Sequence, residues 1–192
     1  MEIRRIIQKR SKGFSMIEMI AACVMVSILV PGISLIVRGT MMNIAFTNMA
    51  VFANMEADYA QRNFIKHING VESFSSTAGD QAVDKLTFTS YLGGLEYQYI
   101  IDDVSRTIKY SREDIDGGTA GILLQKVVKD TTIDAVNYVS KFTYRGKDNT
   151  DLGGTPTATD IYGVELTFYL LRGESFYKYT TYATIDEDQL DI

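Results

Sequence analysis

The chain has 192 residues, 46% hydrophobic and 22% charged, with a formal net charge of −5, one cysteine and one histidine. That length holds one modest domain and a long helix, not two large domains. The single cysteine excludes an intramolecular disulfide, His67 alone leaves a His-dependent triad or multi-His metal site without material, and the acidic balance argues against nucleic-acid binding.

Residues 1–13 form a short basic leader, with Arg4, Arg5, Lys9, Arg10 and Lys12 set against Glu2. The remainder carries fourteen basic and twenty-three acidic residues, a net charge of −9. From Phe14 to Val37 run twenty-four residues with one charge, Glu18. A helix of that length spans about 36 Å, enough for a hydrocarbon core of about 30 Å. The basic leader places the N-terminus on the cytoplasmic side and residues beyond about 40 outside. Residues 14–37 are therefore expected to span the membrane and 38–70 to continue the helix.

Glu18 is the anomaly. A carboxylate inside an apolar segment costs about 2.5–3.5 kcal/mol at mid-membrane and less near the interface, so it needs a partner. The apolar run holds no Lys, Arg or His. Cleavage after Gly13 would create one, because the new α-amine of Phe14, with a pKa of about 7.7–8.0, is mostly charged at neutral pH. Glu18 lies one helical turn away.

A short basic leader, Gly13 before the cut, Phe14 after it and Glu18 at the fifth mature position, followed by an apolar helix, resembles the class III signal of type IV pilins and type II secretion pseudopilins. The resemblance implies cleavage between Gly13 and Phe14 by a prepilin peptidase and N-methylation of Phe14. It implies that Glu18 pairs with the Phe14 amine of a neighbouring subunit as the helix leaves the bilayer for a filament core. Its implied partners are other pilin or pseudopilin subunits, held through the N-terminal helix, and an assembly-platform membrane protein with its ATPase. The location implied is the inner membrane, N-in and C-out, then a periplasmic or cell-surface filament. No cofactor, metal or enzymatic activity is implied.

Other readings of this stretch fit less well. Ile20-Ala21-Ala22-Cys23 looks like a lipobox, but Glu18 interrupts the preceding apolar region and Val24 to Val37 stays apolar. No small-x-small signal-peptidase site closes the run. An ordinary signal anchor with a snorkelling glutamate is the plain alternative. Pro31-Gly32 weakens the helix, by about 3 kcal/mol for Pro and about 1 for Gly in an exposed interior, so a kink or melted turn is expected there.

From Gly39 to Asn69, Met42, Ala45, Met49, Phe52, Met55 and Tyr59, then Phe64, Ile65 and Ile68, recur at helical spacing. They predict an amphipathic helix with this stripe buried against the following sheet, Asp58, Gln61, Arg62, Asn63 and Lys66 wet, and a stop at Asn69-Gly70.

Residues 71–192 are expected to form an antiparallel β-sheet domain. Leu86–Leu92 and Leu95–Ile101 flank Gly93-Gly94, a two-residue hairpin signal, and Asp102-Asp103 turns the chain into Ser105–Tyr110. Ile122–Val128, Val136–Tyr144, Tyr162–Leu171 and Ser175–Ile185 read as further strands, the last two joined through Arg172-Gly173-Glu174. The twelve tyrosines, nearly all in these strands, suit half-buried positions. Asp114–Gly118 and Asp148–Gly154 are acidic enough to suggest calcium, but neither has EF-hand spacing or the closing Glu, and such loops are ordinarily turns.

The order of long helix, meander, insertion and late hairpin resembles the minor pilins of the W type and the J-type minor pseudopilins. The expectation is an α+β pilin-like fold and a minor subunit that assembles or primes a filament. From a different class, a single-pass receptor or binding ectodomain would share the anchor but keep its leader.

Overall fold

The computed structural model describes residues 15–77, 79–91, 93–112, 121–133 and 135–185. The leader, Gly13, Phe14 and the acidic cluster Asp114–Gly118 lie outside the described residues. By internal contacts the chain divides into residues 1–47 and 48–192.

One helix, α1 (Met16–Ile68), belongs to both units. In the first unit its large side chains are exposed, from Met16 onward. The helix is continuous through Pro31 and Gly32, so the melted turn expected there is absent. Proline deprives the Ser27 carbonyl of its amide partner, a local loss that the turns on either side outweigh. Other polar groups in this apolar stretch bond inside the helix. Ser27 Oγ donates to the Cys23 carbonyl at 2.7 Å, Thr40 Oγ1 to Ile36 at 2.9 Å and Thr47 Oγ1 to Asn43 at 2.8 Å. Internal satisfaction of this kind is what a lipid environment requires.

In the second unit, Asn48–Ile68 packs on antiparallel sheets, an α+β arrangement. β1 (Val71–Phe74), β2 (Lys85–Ser90), β3 (Leu95–Asp102), β4 (Thr107–Arg112) and β5 (Gly121–Gln125) form a five-stranded meander in sequence order. A second sheet centres on β10 (Gly163–Arg172), paired along its full length with β11 (Ser175–Thr184). The other edge of β10 is shared: Gly163 to Thr167 face β9 (Lys141–Arg145), and Tyr169 and Leu170 face β6 (Val127–Val128). β7 (Asp130–Ile133) and β8 (Val136–Val139) make a separate hairpin. The late hairpin turns through Gly173, at φ 62°, as the sequence predicts.

Three strand assignments need correction. The apolar run Ile122–Val128 is not one strand, because Lys126 takes φ 60° and sends β5 and β6 into different sheets. Val136–Tyr144 breaks at Ser140, whose hydroxyl donates to the Val128 carbonyl and accepts from the Tyr169 amide at 3.0 Å. The β2–β3 loop has four residues, 91–94, since Ser90 pairs with Leu95 and the Gly94 amide donates to the Ser90 carbonyl at 3.1 Å. β1 and β7 were not legible as strands.

The helix stripe is also corrected. The residues of α1 under the sheets are Ala53, Ala57, Ala60, Phe64 and Ile68, all fully buried, whereas Phe52, Met55 and Tyr59 are each about 62% exposed. Small residues let the helix backbone come close to strands that already carry Phe88, Tyr99, Phe142 and Phe168, all fully or almost fully buried. Phe64 joins the two sheets, with its ring edge-on to Tyr99 of β3 at 5.7 Å and stacked on Phe142 of β9 at 6.1 Å. Polar anchors fix this face: Asn54 accepts from the Tyr179 hydroxyl at 2.7 Å, Gln61 donates to the Thr180 carbonyl at 3.2 Å, and Glu56 pairs with the buried guanidinium of Arg172.

Tyr99 and Tyr144 are fully buried rather than half-wet. The Tyr144 hydroxyl donates to the carbonyls of Ala82 and Lys85, at 3.0 and 2.6 Å. A buried hydroxyl that is hydrogen-bonded avoids the desolvation penalty an unpaired one would carry.

Candidate functional site: the exposed face of the long helix

The described helix begins at a reciprocal cap. The Ser15 amide donates to Glu18 Oε2 at 2.9 Å, and the Glu18 amide donates back to Ser15 Oγ at 3.2 Å. The first intrahelical bond follows, from the Met19 amide to the Ser15 carbonyl at 3.1 Å. This is a capping box, which satisfies two of the four orphan amides of a helix start and sets a carboxylate on the positive end of the helix dipole. Ser15 is the functional residue that the sequence reading missed, although the Ser-x-x-Glu spacing is its signature. A carboxylate offers about four acceptor positions, so the single backbone bond to Glu18 leaves room for a cation. Glu18 is exposed.

From this cap the large apolar side chains of α1 stay uncovered through the first unit, Met16, Ile20, Met25, Leu29, Ile33 and Ile36 among them. The most apolar 18-residue window has a mean hydropathy of 2.6 with none of its residues buried, and the helix is long and apolar enough to cross a membrane. Cys23 is exposed on it as a free thiol.

In the second unit Phe52, Met55, Glu56 and Tyr59 line a shallow groove of about 490 Å³ against Ile122, Leu123, Leu124 and Gln125 of β5. Its walls are mostly apolar, and Ile122 is itself 54% exposed.

Elsewhere in the unit several polar groups pair with one another, although Gln81 Oε1 is buried without a partner among the described residues. Asp102 is held well below the usual carboxylate range by the Lys109 ammonium at 2.5 Å and by the Ser105 amide. His67 is half-buried near the end of α1. Its Nδ1 lies 2.5 Å from the Tyr99 hydroxyl and its ring packs on Tyr97 and Tyr110, at 4.8 and 5.9 Å between centroids. Burial, aided by the charges of Lys66 and Arg112, pushes its pKa down to about 4. In the Asp148–Gly154 loop, Asp151 Oδ1 accepts from the Gly153 amide at 2.9 Å and Asn149 takes φ 58°, the geometry of a turn. Among the described residues no three His, Cys, Asp or Glu side chains converge as a metal site would require.

Of the residues singled out in the sequence, Glu18, Pro31 and Gly32 lie on this one helix, and Gly13 and Phe14 precede its described start. Comparisons of the chain with protein-family profiles, with characterised proteins and with solved structures returned no match.

Proposed function

We propose that the chain is a non-catalytic filament subunit, a minor pilin or minor pseudopilin. It would be cleaved between Gly13 and Phe14 by a prepilin peptidase, N-methylated at Phe14, and assembled through α1 by a platform protein with its ATPase. The precursor sits N-in and C-out in the cytoplasmic membrane, and the β unit faces outward in the filament.

The observation that carries this reading is the extent of uncovered apolar surface on α1. A bilayer needs about twenty apolar residues. The exposed apolar side chains continue well past Val37, through Met41, Ile44, Phe46, Met49, Phe52 and Met55 to Tyr59. A simple anchor has no use for about six further turns of them, whereas neighbouring helices of like subunits would cover them. Glu18 supports the same reading, because its carboxylate keeps acceptor capacity at the helix start, where the amine of a neighbour's Phe14 would arrive.

The test is the mature N-terminus by mass spectrometry, with and without a co-expressed prepilin peptidase. A chain that begins at methylated Phe14, and no longer does so when Gly13 is replaced by Leu, supports the proposal. Retention of Met1 in the presence of the peptidase, or a lipid-modified Cys23, refutes it and leaves a tethered binding ectodomain.

A further inference from the structure

A cavity of about 570 Å³ in the β unit opens where the β3–β4 turn, the β5–β6 junction and the β10–β11 turn meet. Among the described residues its lining holds two cations, Arg106 and Lys126, and no carboxylate. Both side chains are exposed, and among the described residues neither has an ion-pair or hydrogen-bond partner. Both also take left-handed backbone conformations, φ 52° and 60°, which cost a non-glycine residue about 1 kcal/mol or more. Cross-element bonds hold them there: the Val127 amide donates to the Arg106 carbonyl at 2.9 Å and the Leu171 amide to the Lys126 carbonyl at 3.0 Å. Asp103 lines a second cavity that shares Arg106 and Leu171 with this one. The hydroxyls of Ser105 and Thr107, 2.6 Å apart, add donors, and Ile122 and Leu171 give the cavity an apolar side.

Two unpaired cations with no acid between them, on a chain of net charge −5, select a carboxylate-rich ligand. The chain carries one at residues 186–191, Asp186-Glu187-Asp188-Gln189-Leu190-Asp191, which lie outside the described residues. Four acids suit Arg106 and Lys126, and Leu190 suits Ile122 and Leu171. That segment cannot serve its own cavity. β11 starts beside the cavity at Ser175 and carries the chain about 30 Å away by Thr184, at about 3.3 Å per residue. Residues 185–191, drawn out fully, return at most about 25 Å.

We propose that this cavity receives the acidic segment 186–191 of a second copy of the chain. The cavity and the end of β11, from which the acidic segment continues, lie at opposite ends of the β10–β11 hairpin, so the contact is head-to-tail and propagates from copy to copy rather than closing as a pair. The proposal deepens the filament reading and rests on it, adding a contact between β units to the one made by α1.

The experiment uses the full chain in detergent, with Cys23→Ser, as two populations bearing Gln125→Cys or Gln189→Cys, so that every charge is retained. Mild oxidation of the mixture should give a disulfide-linked heterodimer. Arg106→Asn with Lys126→Asn, which tolerates the left-handed backbone, should slow its formation at least tenfold while leaving the melting temperature unchanged. Arg106→Glu with Lys126→Glu should abolish it, and Asp186→Lys with Asp188→Lys on the other population should restore it. No heterodimer, a heterodimer indifferent to these charges, or equal cross-linking when Thr119→Cys replaces Gln189→Cys would overturn the proposal. Because the assay needs neither leader cleavage nor filament growth, its failure beside a correctly processed N-terminus removes only the head-to-tail contact. Its success beside an uncleaved leader removes only the filament reading.

Discussion

Residues 16–47 and 48–68 of α1 draw on the same kinds of apolar residue and dispose of them in opposite ways. In the first part every large apolar side chain is exposed and, among the described residues, there is no packed partner within its unit. In the second part the helix is anchored, yet it buries its alanines and leaves Phe52, Met55 and Tyr59 outside. Hydrophobicity alone therefore does not say which face of this helix meets the sheets; side-chain size does. The buried face is narrow because the strands bring the bulk, and the exposed face has the same apolar character as the first part of the helix. Four predictions follow from this contrast and from the packing around it.

The largest effect is expected at Phe64, the residue that touches both sheets. Phe64→Ala should cost about 3–5 kcal/mol, since it removes a fully buried ring and leaves a cavity between Tyr99 and Phe142. Chemical denaturation of the detergent-solubilised chain, followed by tyrosine fluorescence, measures it. A loss below 1 kcal/mol would mean that α1 does not knit the sheets into one core.

Next is the pH dependence written into the end of the anchored segment. His67 has its pKa pushed from 6.5 down to about 4, so between those values the unfolded chain binds a proton that the folded chain refuses. Stability is therefore complete above about pH 6.5 and falls as pH drops toward 4, by about 1–2 kcal/mol once the residue's partial exposure to solvent is allowed for. The facing groups are Tyr97, Tyr99 and Tyr110, with Lys66 and Arg112 nearby. Asp102, held below its ordinary range, stabilises above the carboxylate region and is lost only at lower pH, so the two windows separate. His67→Gln should flatten the melting temperature between pH 6.5 and 4, and an unchanged slope would assign it to other groups.

A smaller cost is expected at Gly163 in β10. A Cβ there would sit 2.5 Å from the Tyr182 hydroxyl oxygen and 2.9 Å from two ring carbons. The ring is 44% exposed and able to swing away, so Gly163→Ala should cost about 1 kcal/mol. Thermal melts of Gly163→Ala alone and with Tyr182→Ala check this, since removing the ring should remove the penalty.

How much of this was legible depends on which physical signal each feature leaves. The long helix, the glycine at the late hairpin turn and the central strands were readable, because apolar runs, alternation and turn residues are local. The splits at Lys126 and Ser140 were not. Ile122–Val128 is apolar on both sides of Gln125 and Lys126 and reads as one strand, and the left-handed turn at that lysine, which moves the chain between sheets, is dictated by the partners of β6. The helix face was misjudged because Ala53, Ala57, Ala60 and Phe64 recur at the same spacing as the larger residues beside them. Of the helix-start residues Glu18 stood out by its charge, while Ser15, its capping partner, was legible from spacing and overlooked.

The smallest effect on stability is expected where the effect on association should be greatest. Phe52, Met55 and Tyr59 contribute little to the fold in their exposed positions, so Phe52→Ser with Tyr59→Ser should change unfolding free energy by no more than about 0.5 kcal/mol per site. If the uncovered face exists to meet the helices of like subunits, the same double change should lower cross-linked oligomers of the full chain in membranes, read by gel after amine-directed cross-linking. Ala57→Ser, on the buried face, should do the reverse, weakening the fold through a hydroxyl brought into a fully buried site while leaving association intact at temperatures where the chain stays folded. Parallel losses of stability and association in both variants would show that the helix has one role rather than two, and the distinction between its faces would fall.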